Sequence, residues 1–305
     1  MKPKMERYTI ERFNREFPDD AACLEWLKNR IYPDGIHCET CEAITNHYRV
    51  ASRPSYSCQS CGNHVHPTAG TIFHKSSTSL RTWFYAVYLM SATRCGVSAK
   101  QIERETGVTY KTAWRMFKQI RSMLADESPL GGKVEMDECE IGAYVGREGG
   151  RKGRALKPRA TVFGAVERGG RVKAVVAPDR LRTTIRPLIK RYVLPKSTVF
   201  TDQFVAYDGL IGRGYRHYRI NHSAGIYVDG DVHTQTIEGF WNLVKGGISG
   251  VYHSVSHKYL QTYLDEYSFR YSHRKDIQPM FISFLEQVRK SDVKPSASQT
   301  ESHPF

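Results

Sequence analysis

Four cysteines in two Cys-x2-Cys pairs, Cys38 with Cys41 and Cys58 with Cys61, constrain the N-terminal part of this 305-residue chain more than any apolar run does. Sixteen residues separate the pairs, and the strand-like stretches HYRV and PSYSC lie among them. The segment is too poor in apolar residues to fold without a clamp. Two knuckles, each presenting two thiolates from a short hairpin, would close a tetrahedral zinc site, and this spacing is that of a zinc ribbon. Four unconnected thiols are the alternative, and it leaves the paired spacing unexplained. Seven cysteines in a chain this long, four of them paired, fit metal binding in a reducing compartment better than a disulfide framework.

The charge balance points to a polyanionic partner. Lys and Arg number 45 against 31 Asp and Glu, for a formal net charge of +14 and a pI near 9.4. Such a field attracts nucleic acid. Ribosomal and membrane-surface proteins share this bias, but no apolar run approaches the roughly 20 residues of a membrane span. The N-terminus, MKPKMERYTIERF, lacks a signal peptide's apolar stretch, so export is not expected and a cytoplasmic, nucleoid-associated location is. His64 and His66 follow the second cysteine pair; with four thiolates filling a zinc shell, they are expected to face solvent or DNA.

Four regions follow from the pattern: an N-terminal helix and zinc ribbon over 1–75, a helix-turn-helix domain over 76–128, an α/β catalytic domain over 129–288 and a disordered polar tail over 289–305. FPDDAACLEWLKNRI reads as a short helix capped by Asp19 or Asp20, with Cys23, Leu24, Leu27 and Ile31 on its apolar face. A second helical pattern begins at Ser79. SAKQIERETGVTYKTAWRMFKQIRSML then places caps at Ser98 and Thr109 and a turn at Gly107, a helix-turn-helix pattern. Ile102, Val108, Ala113 and Phe117 would form its core while Thr109, Tyr110, Lys111, Arg115 and Lys118 face a DNA groove. A helical hairpin with ordinary solvated charges is the competing reading.

After Pro129, Gly131 and Gly132 the pattern changes to strands near 134–142, 160–167 and 171–177, a helix over 180–193, a strand at 197–202, a helix near 203–213, a strand at 215–220 and a helix stopped by Gly246 and Gly247. This order describes a ribonuclease H-like α/β sheet in which the first and fourth strands are neighbours. Asp137 in VEMDECEIG, Asp202 ending STVFTD and Glu238 in TIEGFWNLVKGG would then converge, and three carboxylates make a site for hard divalent cations. Two Mg²⁺ ions roughly 4 Å apart, with Mn²⁺ as a substitute, suit in-line displacement at a phosphodiester.

Each acid has rivals. Glu135 shares the face of Asp137 by strand alternation, with Glu138 and Glu140 opposite. Asp208 sits in a YDGL turn, and Asp229 and Asp231 read as turn and cap residues. Glu238 lines up with Trp241, Asn242 and Lys245 on one helix face, Lys245 suiting a phosphate. Trp241 suits core packing or base stacking, and His233 suits a helix-start hydrogen bond or acid-base work. Cys139 reads as a packed strand residue. The loop REGGRKGRALKPR, with Arg151, Lys152 and Arg154, is either phosphate-seeking or a solvated hairpin tip.

In this order the ribbon cysteines, the helix-turn-helix and the segments VEMDECEIG, VFTDQFVAYDGL and HTQTIEGFWNLVKGGISGVYH resemble the DDE transposases of bacterial insertion sequences, specifically the ISXO-like zinc-ribbon group related to Merlin elements. The resemblance covers about residues 17–275. It implies Asp137, Asp202 and Glu238 as the catalytic acids, binding of terminal inverted repeats, joining of 3′ ends to target DNA, and a homo-oligomer on DNA. Members of the group often have Asn where Gln235 stands; either amide can bond a scissile phosphate or a neighbouring carboxylate. A domesticated DNA-binding regulator and a ribonuclease H-like nuclease without strand transfer are the competing functions.

Overall fold

A computed structural model describes residues 7–142, 159–220 and 232–289. The chain divides into two compact units, one of Glu6–Ala92 with the chain from Phe281 onward, the other centred on Thr93–Met280. The helical region expected over 76–128 spans that division.

The first unit begins with α1 (Ile10–Glu16), capped by Thr9, whose hydroxyl accepts from Arg12 N at 3.2 Å, and α2 (Asp20–Ile31), where Asp19 Oδ1 accepts from Ala22 N at 2.8 Å. Cys23, Leu24 and Leu27 are buried along α2 as its apolar spacing predicts. Two small antiparallel sheets follow, β1 (His37–Cys38) with β2 (Ala43–Ile44), then β3 (His47–Val50), β4 (Ser55–Cys58) and β5 (His64–Val65). Helix α3 (Leu80–Ala92) buries Trp83, Phe84, Val87 and Met90. Aromatic rings form much of this unit's core: Phe13 meets Phe17, Tyr85, Tyr88 and Phe281 at 5.4–5.8 Å between centroids.

The second unit opens with α4 (Ala99–Thr106) and α5 (Tyr110–Ser122). Ser98 caps the first and Thr109 the second, and Gly107 between them takes the left-handed conformation at φ 72°. Strands β6 (Lys133–Ile141), β7 (Ala160–Glu167) and β8 (Val172–Ala177) form an antiparallel meander; α6 (Arg182–Tyr192) crosses to β9 (Thr198–Thr201), and β10 (Arg216–Arg219) follows. The sheet order is β10-β9-β6-β7-β8, with β9 parallel to both β6 and β10.

Helices α7 (Gln235–Gly247) and α8 (His257–Ser272) pack on one sheet face with Cys139, Val162, Val166 and Val172. On the other face α6 packs with Met136, Phe163, Ala165 and Val199. The sheet is thus covered on both sides, which is why β7 reads as a nearly continuous apolar run. A short α9 (Met280–Leu285) contributes Phe281 to the first unit's aromatic core.

Two expectations fail. Gly246 and Gly247 do not stop the Glu238 helix: Gly247 keeps helical φ and ψ of −71° and −41°, and the backbone runs on into a π-helical turn over Ile248–Tyr252. No α-helix forms over 203–213; the chain makes two short 3-10 turns, Val205–Tyr207 and Ile211–Arg213. Three glycines fall within residues 209–214, and Gly209 and Gly214 take positive φ of 73° and 88°, which breaks a continuous helix. Among the described residues, no helix is long and apolar enough to cross a membrane.

Candidate functional site

In the ribbon, Cys38 ends β1 and Cys58 ends β4, while Cys41 and Cys61 sit in the turns just beyond. Cys38 and Cys61 bring their Sγ atoms to 3.5 Å, and Cys41 and Cys58 to 3.9 Å. All four sulfurs lie within 4.8 Å of one another, a donor set suited to tetrahedral Zn²⁺. The Thr45 hydroxyl is 3.1 Å from Cys58 Sγ, the outer-shell contact such a thiolate needs. His64 lies outside the cluster with Nδ1 3.2 Å from Ser55 Oγ, and Cys23 and Cys139 are packed in other cores.

The three acids come from two neighbouring strands and a helix above them. Strand β6 pairs with β9 at Lys133–Thr198, Val134–Val199 and Glu135–Phe200. Two residues further along the same register, Asp137 is level with Asp202. Asp202 stands just past the end of β9, where its Oδ1 accepts from Phe204 N at 2.8 Å and turns the chain out of the sheet. Glu238 is exposed on the first turns of α7, with the Thr234 hydroxyl donating to its Oε1 at 2.9 Å. The trio does not close as tightly as the cysteines, since among the described residues only the four thiols converge within 4.8 Å.

Electrostatics nevertheless couple the acids. Burial, then the charge of Asp202 and a smaller push from Glu238, raise the Asp137 carboxyl to about 6, against a hydrogen bond from Trp241 Nε1 to Asp137 Oδ2 at 3.1 Å. Trp241 is buried and can lie there because Gly164 pairs with Asp137 across β6 and β7: a Cβ at Gly164 would come within 2.3 Å of the indole. The ring is core packing that also holds Asp137 in place.

Glu138, on the opposite side of β6, accepts a hydrogen bond from the buried Tyr207 hydroxyl. Burial raises its carboxyl to about 7, the hydrogen bond opposes that, and the charges of Asp137 and Asp202 add to it. Glu135, by contrast, is fully buried and bonded to Arg168 and the start of α7. Asp208 pairs with Arg182 and Arg219 at 3.0 and 2.6 Å. Glu140 faces Arg159 and Arg180 at 3.3 and 3.8 Å.

The remaining expected residues lie on α7, just before it and on α5. Gln235 and Lys245 are exposed on α7; burial raises the Cys139 thiol while the Lys245 ammonium opposes it. His233 is half-buried, with Nδ1 3.2 Å from Glu135 Oε1. Lys111, Arg115 and Lys118 are exposed along α5 at spacings of four and three residues, one basic stripe. Arg151, Lys152 and Arg154 lie outside the described residues.

Sequence reading missed the groups that support the site: Tyr207 against Glu138, Arg168 against Glu135, and Thr234 against Glu238. Thr234 sits four residues before Glu238, a spacing that puts both on one side of a helix start. The other two pairings join residues 33 or more positions apart and leave no local signal.

A model of the ISXO2-like transposase domain matches residues 129–272, and a model of the transposase zinc-ribbon domain matches residues 18–64. An uncharacterized protein in transposable element ISH50 of Halobacterium salinarum is 32% identical over 254 residues, 77% of this chain and 85% of that protein. An uncharacterized transposase-like protein of Haemophilus influenzae is 37% identical over 75 residues, 25% of this chain and 60% of that protein.

Proposed function

The chain belongs to the ISXO2-like transposases, and from that membership with the acid geometry we propose that it cuts DNA at the ends of a mobile element and joins those ends to target DNA. The observation that carries the reading is the parallel register of β6 with β9, which continued by two residues sets Asp137 level with Asp202 just past the end of β9, with Glu238 on α7. The order β10-β9-β6-β7-β8, a meander of three strands followed by two parallel to the first, supports a ribonuclease H-like catalytic domain.

Asp137, Asp202 and Glu238 fit hard divalent cations, being oxygen donors among which burial, then the charge of Asp202, pushes Asp137 upward. When bound, Mg²⁺ or Mn²⁺ supplies positive charge to the phosphate and activates the attacking hydroxyl. The chain's own residues do the rest. Trp241 holds Asp137 in position, and the three carboxylates would hold the cations to which the phosphodiester binds. Water is the nucleophile of the first displacement, breaking the phosphodiester and leaving a 3′-hydroxyl on the element end. That hydroxyl attacks a target phosphodiester in the second displacement, and a target 3′-oxygen leaves.

The α4–Gly107–α5 pair acts in this reading as a helix-turn-helix that binds terminal inverted repeats. Lys111, Arg115 and Lys118 contact phosphate or base edges, and Lys245 contacts DNA near the acids. Synapsis of two ends calls for a homo-oligomer on DNA, acting at the nucleoid in the cytoplasm.

The decisive assay is Mg²⁺-dependent cleavage and joining of DNA carrying the element's own ends, with Asp202→Asn and Glu238→Gln beside the parent protein. Both variants are expected to bind DNA normally and to make neither product. Joined product from either variant would remove it from the acid set. Cleavage without joining by the parent protein would favour a nuclease, and binding without cleavage a regulator.

A further inference from the structure

The helix that carries Glu238 begins without a cap of its own. Thr234 occupies the N-cap position, where a threonine hydroxyl ordinarily accepts from the second or third amide of the helix, yet its side chain makes no capping bond. The two amides it would serve donate elsewhere: Thr236 N and Ile237 N reach Glu135 Oε2 at 2.8 and 3.1 Å, and the Thr236 hydroxyl reaches Oε1 at 2.9 Å. Glu135 is 101 residues away from Thr236 in sequence, on β6, two positions before Asp137. A carboxylate is well suited to this place, because it also meets the positive end of the helix dipole.

Arg168 secures the carboxylate from the other side. Its Nε donates to Glu135 Oε1 at 2.7 Å, its Nη2 donates to the His233 carbonyl at 2.9 Å, and its guanidinium lies 3.9 Å from the ring centroid of Phe200 on β9. The fully buried Glu135 is thereby committed to two amides, a hydroxyl and a guanidinium, which leaves it no part as a ligand. Relieved of capping, Thr234 directs its hydroxyl to Glu238 Oε1.

We propose that Glu135 and Thr234 are positioning residues for Glu238. Glu135 ties the first turn of α7 to the strand bearing Asp137, and Thr234 then sets the direction of the Glu238 carboxylate. The inference rests on the reading of Asp137, Asp202 and Glu238 as the cation-holding acids. Hydrogen bonds to the outer side of a ligating group orient it, and their loss ordinarily weakens metal binding or activity roughly 10–100-fold.

The test compares Thr234→Val, isosteric but without the hydroxyl, with Thr234→Ser, which keeps it. Thr234→Val removes no capping bond but deletes the hydroxyl that donates to Glu238, so it should stay folded with only a small fall in melting temperature. Its Mg²⁺ requirement for half-maximal cleavage should rise roughly 10–100-fold, and Mn²⁺ binding to the protein–DNA complex, read by electron paramagnetic resonance, should weaken in parallel. Thr234→Ser should restore both. Glu135→Gln should speed amide exchange at Thr236 and Ile237 in the protein without Mg²⁺, because its NH2 group cannot accept. Parent-like Mg²⁺ and Mn²⁺ behaviour of Thr234→Val beside an inactive Glu238→Gln would overturn the positioning role alone. A fully active Glu238→Gln would overturn the acid set and this inference with it.

Discussion

Glu266 and Asp137 are both carboxylates shielded from water inside the same α/β unit, and the chain handles their charges in opposite ways. Glu266, 1% exposed, sits between two arginines: Arg121 Nε donates to Oε2 at 2.6 Å and Arg270 Nη2 to Oε1 at 2.6 Å. Arg121 is itself held between the rings of Phe117 and Tyr263, 3.5 and 3.4 Å from their centroids. Burial alone would push the Glu266 carboxyl up, but the two cations outweigh it and hold the group below the ordinary range. At Asp137 burial acts in the same direction and the nearest charges are other carboxylates, so the group rises to about 6. A neutralised acid is a structural joint, here between α5 and α8. An acid left among acids keeps its charge unrelieved.

The comparison can be broken by removing one partner from each cluster. Arg121→Met leaves Glu266 buried with a single arginine, and breaking such a pair costs about 3–5 kcal/mol. Denaturant unfolding of the full chain should show a loss of that order; a change below about 1 kcal/mol would mean the joint is not structural.

Asp137→Asn should act with the opposite sign in Mg²⁺-free buffer. The folded-state carboxyl titrates near 6 rather than 3.8, so the native state binds its proton more tightly than the unfolded chain does. Stability therefore falls as pH rises from about 4 to 6, and the loss is complete above that window. The asparagine variant should match the parent near pH 4 and exceed it at pH 8 by about 1–2 kcal/mol, allowing for partial exposure. Equal differences at both pH values would show that Asp137 carries no unrelieved charge.

The smallest effect is expected at Tyr207→Phe, which deletes the hydroxyl that Glu138 accepts from, at a cost of about 1 kcal/mol. That hydrogen bond opposes the rise of Glu138 to about 7, so the variant's pH–stability profile should move to higher pH. An unmoved profile would separate Tyr207 from the acid cluster.

Local chemistry was legible wherever it acted within a few residues. Asp19, Ser98 and Thr109 cap the helices their positions announce, and Gly107 makes the left-handed turn between α4 and α5. The paired cysteines likewise bring all four sulfurs together. Over 203–213 the backbone obeys the glycines: Gly209 within the segment and Gly214 just past it take positive φ and break a continuous helix. Helix α8 buries Leu260, Tyr263, Leu264 and Tyr267 at helical spacing, and beside them Glu266 and Arg270, whose burial no local signal announces.

The division between sequence and structure follows the range of the interactions. By itself the sequence determined the paired ribbon cysteines, the capped helix pair and the succession of strands along the chain, because periodicity, caps and ligand spacing are short-range properties of the chain. Only the tertiary structure decided which carboxylates stay unneutralised, which one is spent as a helix cap, and that Trp241 lies over Gly164 to hold Asp137. Those outcomes depend on what burial brings beside a charge, and residues 101 to 145 positions apart supply it.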